Sequence, residues 1–164
     1  MEQDLNSEFF EAVKNGDLDI AASFMAEGAD INFKNDYGFT ALIIAAVRGY
    51  KEIAAMLIDK GADVNAKNND GITAMMAAAE KGLTSIVDTL IKKGADVNAV
   101  SKFGQTALMK AAEKGHTDTV VKLIEHGADI NIITTKNDMT ALQFAKRQGH
   151  KDIEELLISK GATF

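Results

Sequence analysis

The chain has 164 residues, of which 46% are hydrophobic, enough for one compact domain or one short repeat array. It contains no cysteine, which excludes disulfides and thiolate metal sites, and its net charge of −6 without a basic stripe argues against nucleic-acid binding. Neither a secretory signal nor an apolar run of about 20 residues is visible, so we expect a cytoplasmic protein that does not cross a membrane.

The negative charge is concentrated at the N-terminal end. Residues 1–34 carry eight acids against Lys14 and Lys34, a net charge of −6, while the remaining 16 acids and 16 bases cancel. The acids are Glu2, Asp4, Glu8, Glu11, Asp17, Asp19, Glu27 and Asp30. Two interpretations are open: the acids keep a terminal unit soluble, or they form a docking surface for a basic partner.

Three short strings recur with a period of 33 residues. Gly-Ala-Asp-(Ile/Val)-Asn begins at Gly28, Gly61, Gly94 and Gly127, with a degraded copy from Gly161 to Phe164. Thr-Ala-(Leu/Met) begins at Thr40, Thr73, Thr106 and, one residue late, Thr140; a glycine follows nine residues after each threonine. A fixed period of this length is typical of stacked helical repeats.

The residue pattern of each full unit predicts two helices. Thr40 is a suitable N-cap, and good helix formers follow over Ala41–Arg48 until Gly49 ends the helix. Residues 50–60 predict a second helix, because apolar residues recur there at helical spacing. Neither helix can bury its apolar side alone, so neighbouring units must stack, and alanine pairs in the first helices let them approach closely.

We therefore predict one all-α domain over residues 1–164, a slightly curved solenoid of helix-turn-helix units. The predicted units are an N-terminal cap over 1–34, internal repeats over 35–67, 68–100 and 101–133, and a C-terminal capping repeat over 134–164. Lys146 and Glu154 stand where the internal repeats have small or apolar residues, and Glu8 and Glu11 are charged at the other end. We expect all four to face solvent at the two ends of a complete array.

These strings resemble the ankyrin repeat family, whose unit has 33 residues, a T-P-L-H-x-A signature and a β-turn between units. The resemblance covers about residues 6–164 and implies helix pairs joined by long β-turn loops. Three departures are visible. Alanine replaces the signature proline, the last turn has one extra residue with Asp138 in a glycine position, and the signature histidine becomes Ile43, Met76, Met109 and Gln143. We expect the last turn to be distorted.

In that family, the turn tips and the concave face of the first helices usually bind the partner, and the resemblance implies the same surface here. The residues that map to it are Tyr37, Phe39, Arg48, Asn69, Ile72, Lys81, Lys102, Phe103, Gln105, Lys114, Met139 and Arg147. The apolar members lie among polar turn residues, so we expect them to be at least partly exposed, either as interface anchors or folded over a neighbouring turn. The basic residues at the helix ends lie beside Glu80 and Glu113, which is typical of a mixed solvated face.

No motif predicts catalysis, a cofactor or a metal site. His116 and His150 occupy a repeat position that Tyr50 and Leu83 hold elsewhere, which indicates a structural role. The aspartates of the recurring string come one per unit, whereas a calcium loop gathers its oxygens within about a dozen residues. We expect these aspartates and the asparagines that follow them to tie the turns together through side-chain-to-backbone hydrogen bonds.

The sequence thus favours a non-catalytic protein-interaction module, monomeric on its own, whose partner is another protein. Three alternatives stay open. The chain could be an inhibitor or immunity-type protein that blocks an enzyme or toxin, a designed or consensus-like binding scaffold, or an enzyme or ligand carrier. The last of these requires a closed cavity with convergent polar groups.

Overall fold

The computed structural model describes the backbone of residues 2–163 and the side chains of residues 5–163. Within that range the chain forms ten helices and no strands, and consecutive helices contact each other in five pairs. The pairs are α1 Glu2–Asn15 with α2 Leu18–Ala26, α3 Ala41–Arg48 with α4 Lys51–Asp59, α5 Ala74–Glu80 with α6 Thr84–Lys92, α7 Ala107–Lys114 with α8 Thr117–Glu125, and α9 Ala141–Gln148 with α10 Lys151–Ser159. The all-α prediction is confirmed; Phe164 and the side chains of Glu2 and Asp4 lie outside the described residues.

Threonine and glycine set the ends of the first helices, as the sequence predicts. The Thr40 hydroxyl accepts a hydrogen bond from the Ile43 amide at 3.3 Å, and Gly49 ends α3 with a left-handed φ of 81°. The equivalent threonines accept the same bond in the other three full units, at 3.2 to 3.4 Å. The predicted helix over Ala41–Arg48 is confirmed, and the second helix of that unit lies within the predicted range.

Stacking buries one continuous core. First helices contact first helices along the array, second helices contact second helices, and the first-helix backbones lie closer together. The alanine pairs explain this difference, because Ala45, Ala46 and their equivalents in α5 and α7 have no exposed surface. The array therefore curves toward the first helices, and we call the side they line the concave face.

The recurring Asp and Asn residues form a ladder between units, as expected. The Asn65 side-chain oxygen accepts from the Asp96 amide of the next unit at 2.8 Å, while the Asp96 carboxylate accepts from the Asn98 amide at 2.9 Å. The same two bonds recur at the turns on either side. Asn6 begins the ladder by accepting from the Asp30 amide at 2.7 Å, so a residue of α1 replaces the turn asparagine of a preceding unit.

Replacing Asn65 by alanine is expected to lower the free energy of unfolding by about 1 to 2 kcal/mol. The side chain makes two bonds to the next unit, accepting from Asp96 and donating from Nδ2 to the Gly94 carbonyl at 3.0 Å. Asn32→Ala is the matched control, because among the described residues Asn32 makes only the accepting bond to the next unit, at 2.8 Å. Urea unfolding followed by circular dichroism should show the larger loss for Asn65→Ala; an equal loss would contradict the two-bond account.

Two histidines join neighbouring units from the other side of the stack. His116 Nε2 donates to the Glu80 carbonyl at 3.0 Å, and His150 Nε2 donates to the Glu113 carbonyl at 3.1 Å. Each ring lies over a glycine of the preceding unit, where an added Cβ would come within 2.7 Å or less of it. The histidines thus bind the carbonyls at the C-terminal end of a first helix, which confirms their structural role.

Three of the four charged residues that were predicted to face solvent at the ends of the array are exposed, and Glu154 is half-buried. Ala46, Ala79 and Ala112 are fully buried between units, but Lys146 at the same position is exposed and its Nζ lies 3.6 Å from Glu154 Oε1. At the other end Glu8 and Glu11 on α1 are exposed. Among the described residues, no helix has the length and apolar character needed to cross a membrane.

The last long turn differs from the others in the way its sequence predicts. The amide of its first residue, Thr134, bonds to the Met139 carbonyl five residues on, whereas the same bond spans four residues in the other turns. Asp138 takes the glycine position with a φ of 51°, and among described residues it is the only non-glycine with a positive φ. The extra residue and Asp138 together make this turn wider.

Candidate protein-binding surface

Each long turn is held rigid by the side chain of its first residue. The Asn35 side-chain oxygen accepts from the amides of Tyr37 and Phe39, both at 3.0 Å. Asn68 accepts the two equivalent bonds in the next turn, and the Ser101 hydroxyl accepts them in the third. Because the turn is closed by its own side chain, the residues at its tip have fixed positions before any partner binds.

Backbone hydrogen bonds join the tips of successive turns. The Asn69 amide donates to the Tyr37 carbonyl at 3.0 Å, the Lys102 amide to the Asp70 carbonyl at 2.9 Å, and the Thr135 amide to the Phe103 carbonyl at 3.1 Å. The Asn69 side chain adds a bond to the Asp36 carbonyl at 3.0 Å. The four tips, residues 36–37, 69–70, 102–103 and 135–136, form one continuous edge that we call the turn ridge.

Two aromatic side chains project from the turn ridge. Tyr37 is 71% exposed and Phe103 is 56% exposed. The other apolar residues of the predicted set, Phe39, Ile72 and Met139, are half-buried and pack against the core. Each of these three directly precedes the threonine N-cap, a position from which an apolar side chain commonly packs onto the first turns of the helix. Their packing is thus part of the fold, whereas Tyr37 and Phe103 leave most of their surface in solvent.

The predicted polar residues line the concave face beside the ridge. Arg48, Lys81, Lys114 and Arg147 are exposed at the ends of the first helices, Lys102 is exposed on the ridge, and Gln105 is half-buried. Glu80 lies among the cations, with its Oε1 4.0 Å from Lys110 Nζ. The structure therefore brings the predicted residues together on one side, with acids and bases interleaved.

A groove at the N-terminal end of the concave face was not predicted. It has a volume of about 510 Å³ and opens to solvent between α1, the first long turn and α3. Its lining consists of Ser7, Phe10, Glu11, Lys14, Phe33, Asn35, Asp36, Tyr37, Phe39, Ile44 and Arg48, and we call it the N-terminal groove. A smaller groove of about 400 Å³ follows along the same face, lined by Val47, Ala77, Glu80, Lys81 and Lys114.

A second feature that was not predicted from the sequence lies along the base of the turns. In the first two turns, Lys34 and Lys67 each reach a carbonyl of the next unit, at 3.2 and 3.4 Å. The next two units have Val100 and Ile133 at this position, 41% and 51% exposed. These two exposed apolar residues replace a hydrogen-bonding lysine, and aligning this one repeat position would have revealed them.

Two aspartates on the second helices, away from this surface, have a lowered pKa. The bound Lys92 ammonium, 2.6 Å from Asp88, lowers the pKa of the Asp88 carboxyl, and Lys122 and His126 reinforce the effect. A hydrogen bond from the Thr117 hydroxyl lowers the pKa of Asp152. Asp88 and Lys92 are both on α6, whereas the contacts of Lys122 and His126 with Asp88 and the bond from Thr117 to Asp152 link neighbouring units. Among the described residues, no group of His, Asp and Glu side chains is arranged to hold a metal ion.

This arrangement defines the class of the protein: a helical-repeat solenoid whose turns and first helices present one continuous surface. A family model described as ankyrin repeats (3 copies) matches residues 9–101 and 98–164. The chain therefore belongs to the ankyrin repeat family, whose repeats are generally protein-interaction modules. No curated protein matches the chain.

Proposed function

We propose that this protein binds a partner protein through the turn ridge and the concave face, without catalysing a reaction. The observation that supports this most directly is the pair of exposed aromatic rings, Tyr37 and Phe103, on a ridge fixed by backbone hydrogen bonds. Aromatic side chains on a rigid support contribute much of the binding energy in protein interfaces, because little conformational freedom is lost on association.

The internal comparison of repeats strengthens the proposal. Val100 and Ile133 are exposed apolar residues at a position where Lys34 and Lys67 bond to the next unit, and Phe103 is exposed three residues after Val100. Lysine at this position bonds to a carbonyl of the next unit, whereas the side chains of Val100 and Ile133 cannot form this bond and leave apolar surface in solvent. Contact with a partner explains why they are there.

The test is the double variant Tyr37→Ala with Phe103→Ala. Partners are captured from the source cell with the full chain, and the affinity of each is measured with purified protein. We expect binding to weaken by about tenfold or more, because both rings are exposed anchors. The matched control is Ile20→Ala with Ile158→Ala, which removes side chains that are 50% and 44% exposed on the second helices.

Equal recovery and equal affinity for wild type and the ring variant would contradict the proposal. The same material separates simple docking from inhibition. If a captured partner is an enzyme, its activity is measured with and without the bound chain. The chain is an inhibitor if the wild type lowers this activity and the double variant Tyr37→Ala with Phe103→Ala does not.

A further inference from the structure

We propose that the N-terminal groove binds a basic segment of the partner, which inserts an aromatic or large aliphatic side chain. This inference rests on the proposed function, because it names the partner chemistry at one end of the same surface. It depends on three observations: an apolar floor, polar groups already engaged in the fold, and an excess of carboxylates around the rim.

The floor of the groove is apolar. Phe10 and Phe33 make an edge-to-face contact with ring centroids 6.3 Å apart, and Ile44 lies half-buried beside them. Tyr37, 71% exposed, stands at the edge. The volume of about 510 Å³ is within the range of about 300 to 1,000 Å³ typical of ligand sites. A side chain inserted here would cover aromatic surface that solvent now reaches.

The polar groups of the groove do not converge on a small ligand. The Asn35 side-chain oxygen is engaged by the amides of Tyr37 and Phe39, both at 3.0 Å. The charged lining residues Glu11, Asp36 and Arg48 are exposed to solvent. This combination suits a chain segment with one apolar anchor and charged flanks better than a small polar molecule, whose recognition needs several inward-facing polar groups.

The charge around the rim selects a basic segment. Glu11 and Asp36 line the groove, and Glu8 is exposed on α1 beside the lining residue Ser7. Lys14 and Glu11 bind each other at 2.9 Å, which leaves the carboxylates of Glu8 and Asp36 against the single cation Arg48. Residues 1–34 as a whole carry a charge of −6.

The repeat supplies a variant that blocks the groove and keeps the fold. The position of Ile44 on α3 is occupied by Ala77 on α5 and by Lys110 on α7. The array thus accommodates a lysine there already. Ile44→Lys places a long cation on the apolar floor, and its thermal unfolding is measured to confirm that the chain is folded.

The experiment is a selection of random peptides of about 12 residues, displayed on phage, against the immobilised full chain. Selected peptides are synthesised and their affinities measured by fluorescence polarisation at two salt concentrations. We expect the enriched sequences to carry an aromatic or large aliphatic residue flanked by Lys or Arg. Binding should weaken at least about tenfold with Ile44→Lys and should also weaken as salt increases.

The charge requirement is tested with a triple variant, Glu8→Gln, Glu11→Gln and Asp36→Asn. The control is Asp59→Asn, Asp118→Asn and Glu155→Gln, which removes the same number of exposed carboxylates from the second helices. We expect about three- to tenfold weaker peptide binding with the first variant and little change with the second.

Two results would overturn the inference: no enriched sequence, or enriched peptides that are acidic, uncharged or insensitive to Ile44→Lys. Acidic peptides that still lose affinity with Tyr37→Ala would refute only the basic partner and leave the binding surface in place. If neither Tyr37→Ala nor Phe103→Ala weakened the binding of a captured partner, that result would instead contradict the proposed function.

Discussion

Replacing Ala79 by lysine is expected to lower the free energy of unfolding by about 3 to 5 kcal/mol, the largest effect we predict for a single substitution. Ala79 is on α5, has no exposed surface and lies between the neighbouring first helices α3 and α7. A lysine there would either bury an ammonium group without a partner or force the helices apart. Urea unfolding followed by circular dichroism measures the loss.

The control is the reverse change at the equivalent position of the last unit. Lys146 is exposed and its Nζ lies 3.6 Å from Glu154 Oε1, so Lys146→Ala should change stability by no more than about 0.5 to 1 kcal/mol. A cost below about 1 kcal/mol for Ala79→Lys would mean that neighbouring units separate easily, which contradicts a tightly stacked array.

Replacing Gly104 by alanine is expected to cost about 3 kcal/mol, because two effects combine. The residue has a φ of 71°, a left-handed conformation that costs any L-residue about 1 to 2 kcal/mol. An added Cβ would also lie 2.9 Å from the Thr135 amide nitrogen and 3.0 Å from the Ile133 carbonyl oxygen. Both are backbone atoms, and the Thr135 amide is held by its bond to Phe103, so neither can easily move.

Gly61→Ala separates the two effects. Gly61 has a φ of 87°, but no atom lies within 4 Å of the added Cβ. It should therefore lose only the conformational part, about 1 to 2 kcal/mol. Thermal and urea unfolding of the two variants gives the difference directly. If both substitutions cost the same, successive turns do not approach as closely as the backbone atoms around Gly104 indicate.

The sequence predicts the fold well because each rule acts locally and is repeated at a fixed period. Thr40 and its equivalents cap helices through an amide three residues away, and Gly49 ends a helix through its own backbone conformation. The Asp-Asn ladder follows from the same periodicity, since equal positions in stacked units come to lie side by side. The different sequence of the last turn, including Asp138, predicts its different shape.

The candidate site is less predictable, because it depends on residues that are distant in sequence. The N-terminal groove combines Phe10 of α1, Phe33 of the turn and Ile44 of α3, and no periodic position links the three. Exposure is equally hard to assign: Phe39 and Tyr37 are two residues apart, yet one packs against the core and the other is exposed. Only the turn closed by Asn35 determines which one points outward.

The bonds between units have a consequence for the length of the array. Each internal unit offers the same acceptor on one side, such as Asn65, and the same donor on the other, such as the Asp63 amide. If residues 68–100 were excised, Asn65 would meet the Asp129 amide, which Asn98 now binds in the same way at 2.8 Å. The same bonds can therefore join any two internal units. Adding or removing an internal unit changes the number of turn tips that a partner meets, without changing the hydrogen bonds that join the tips.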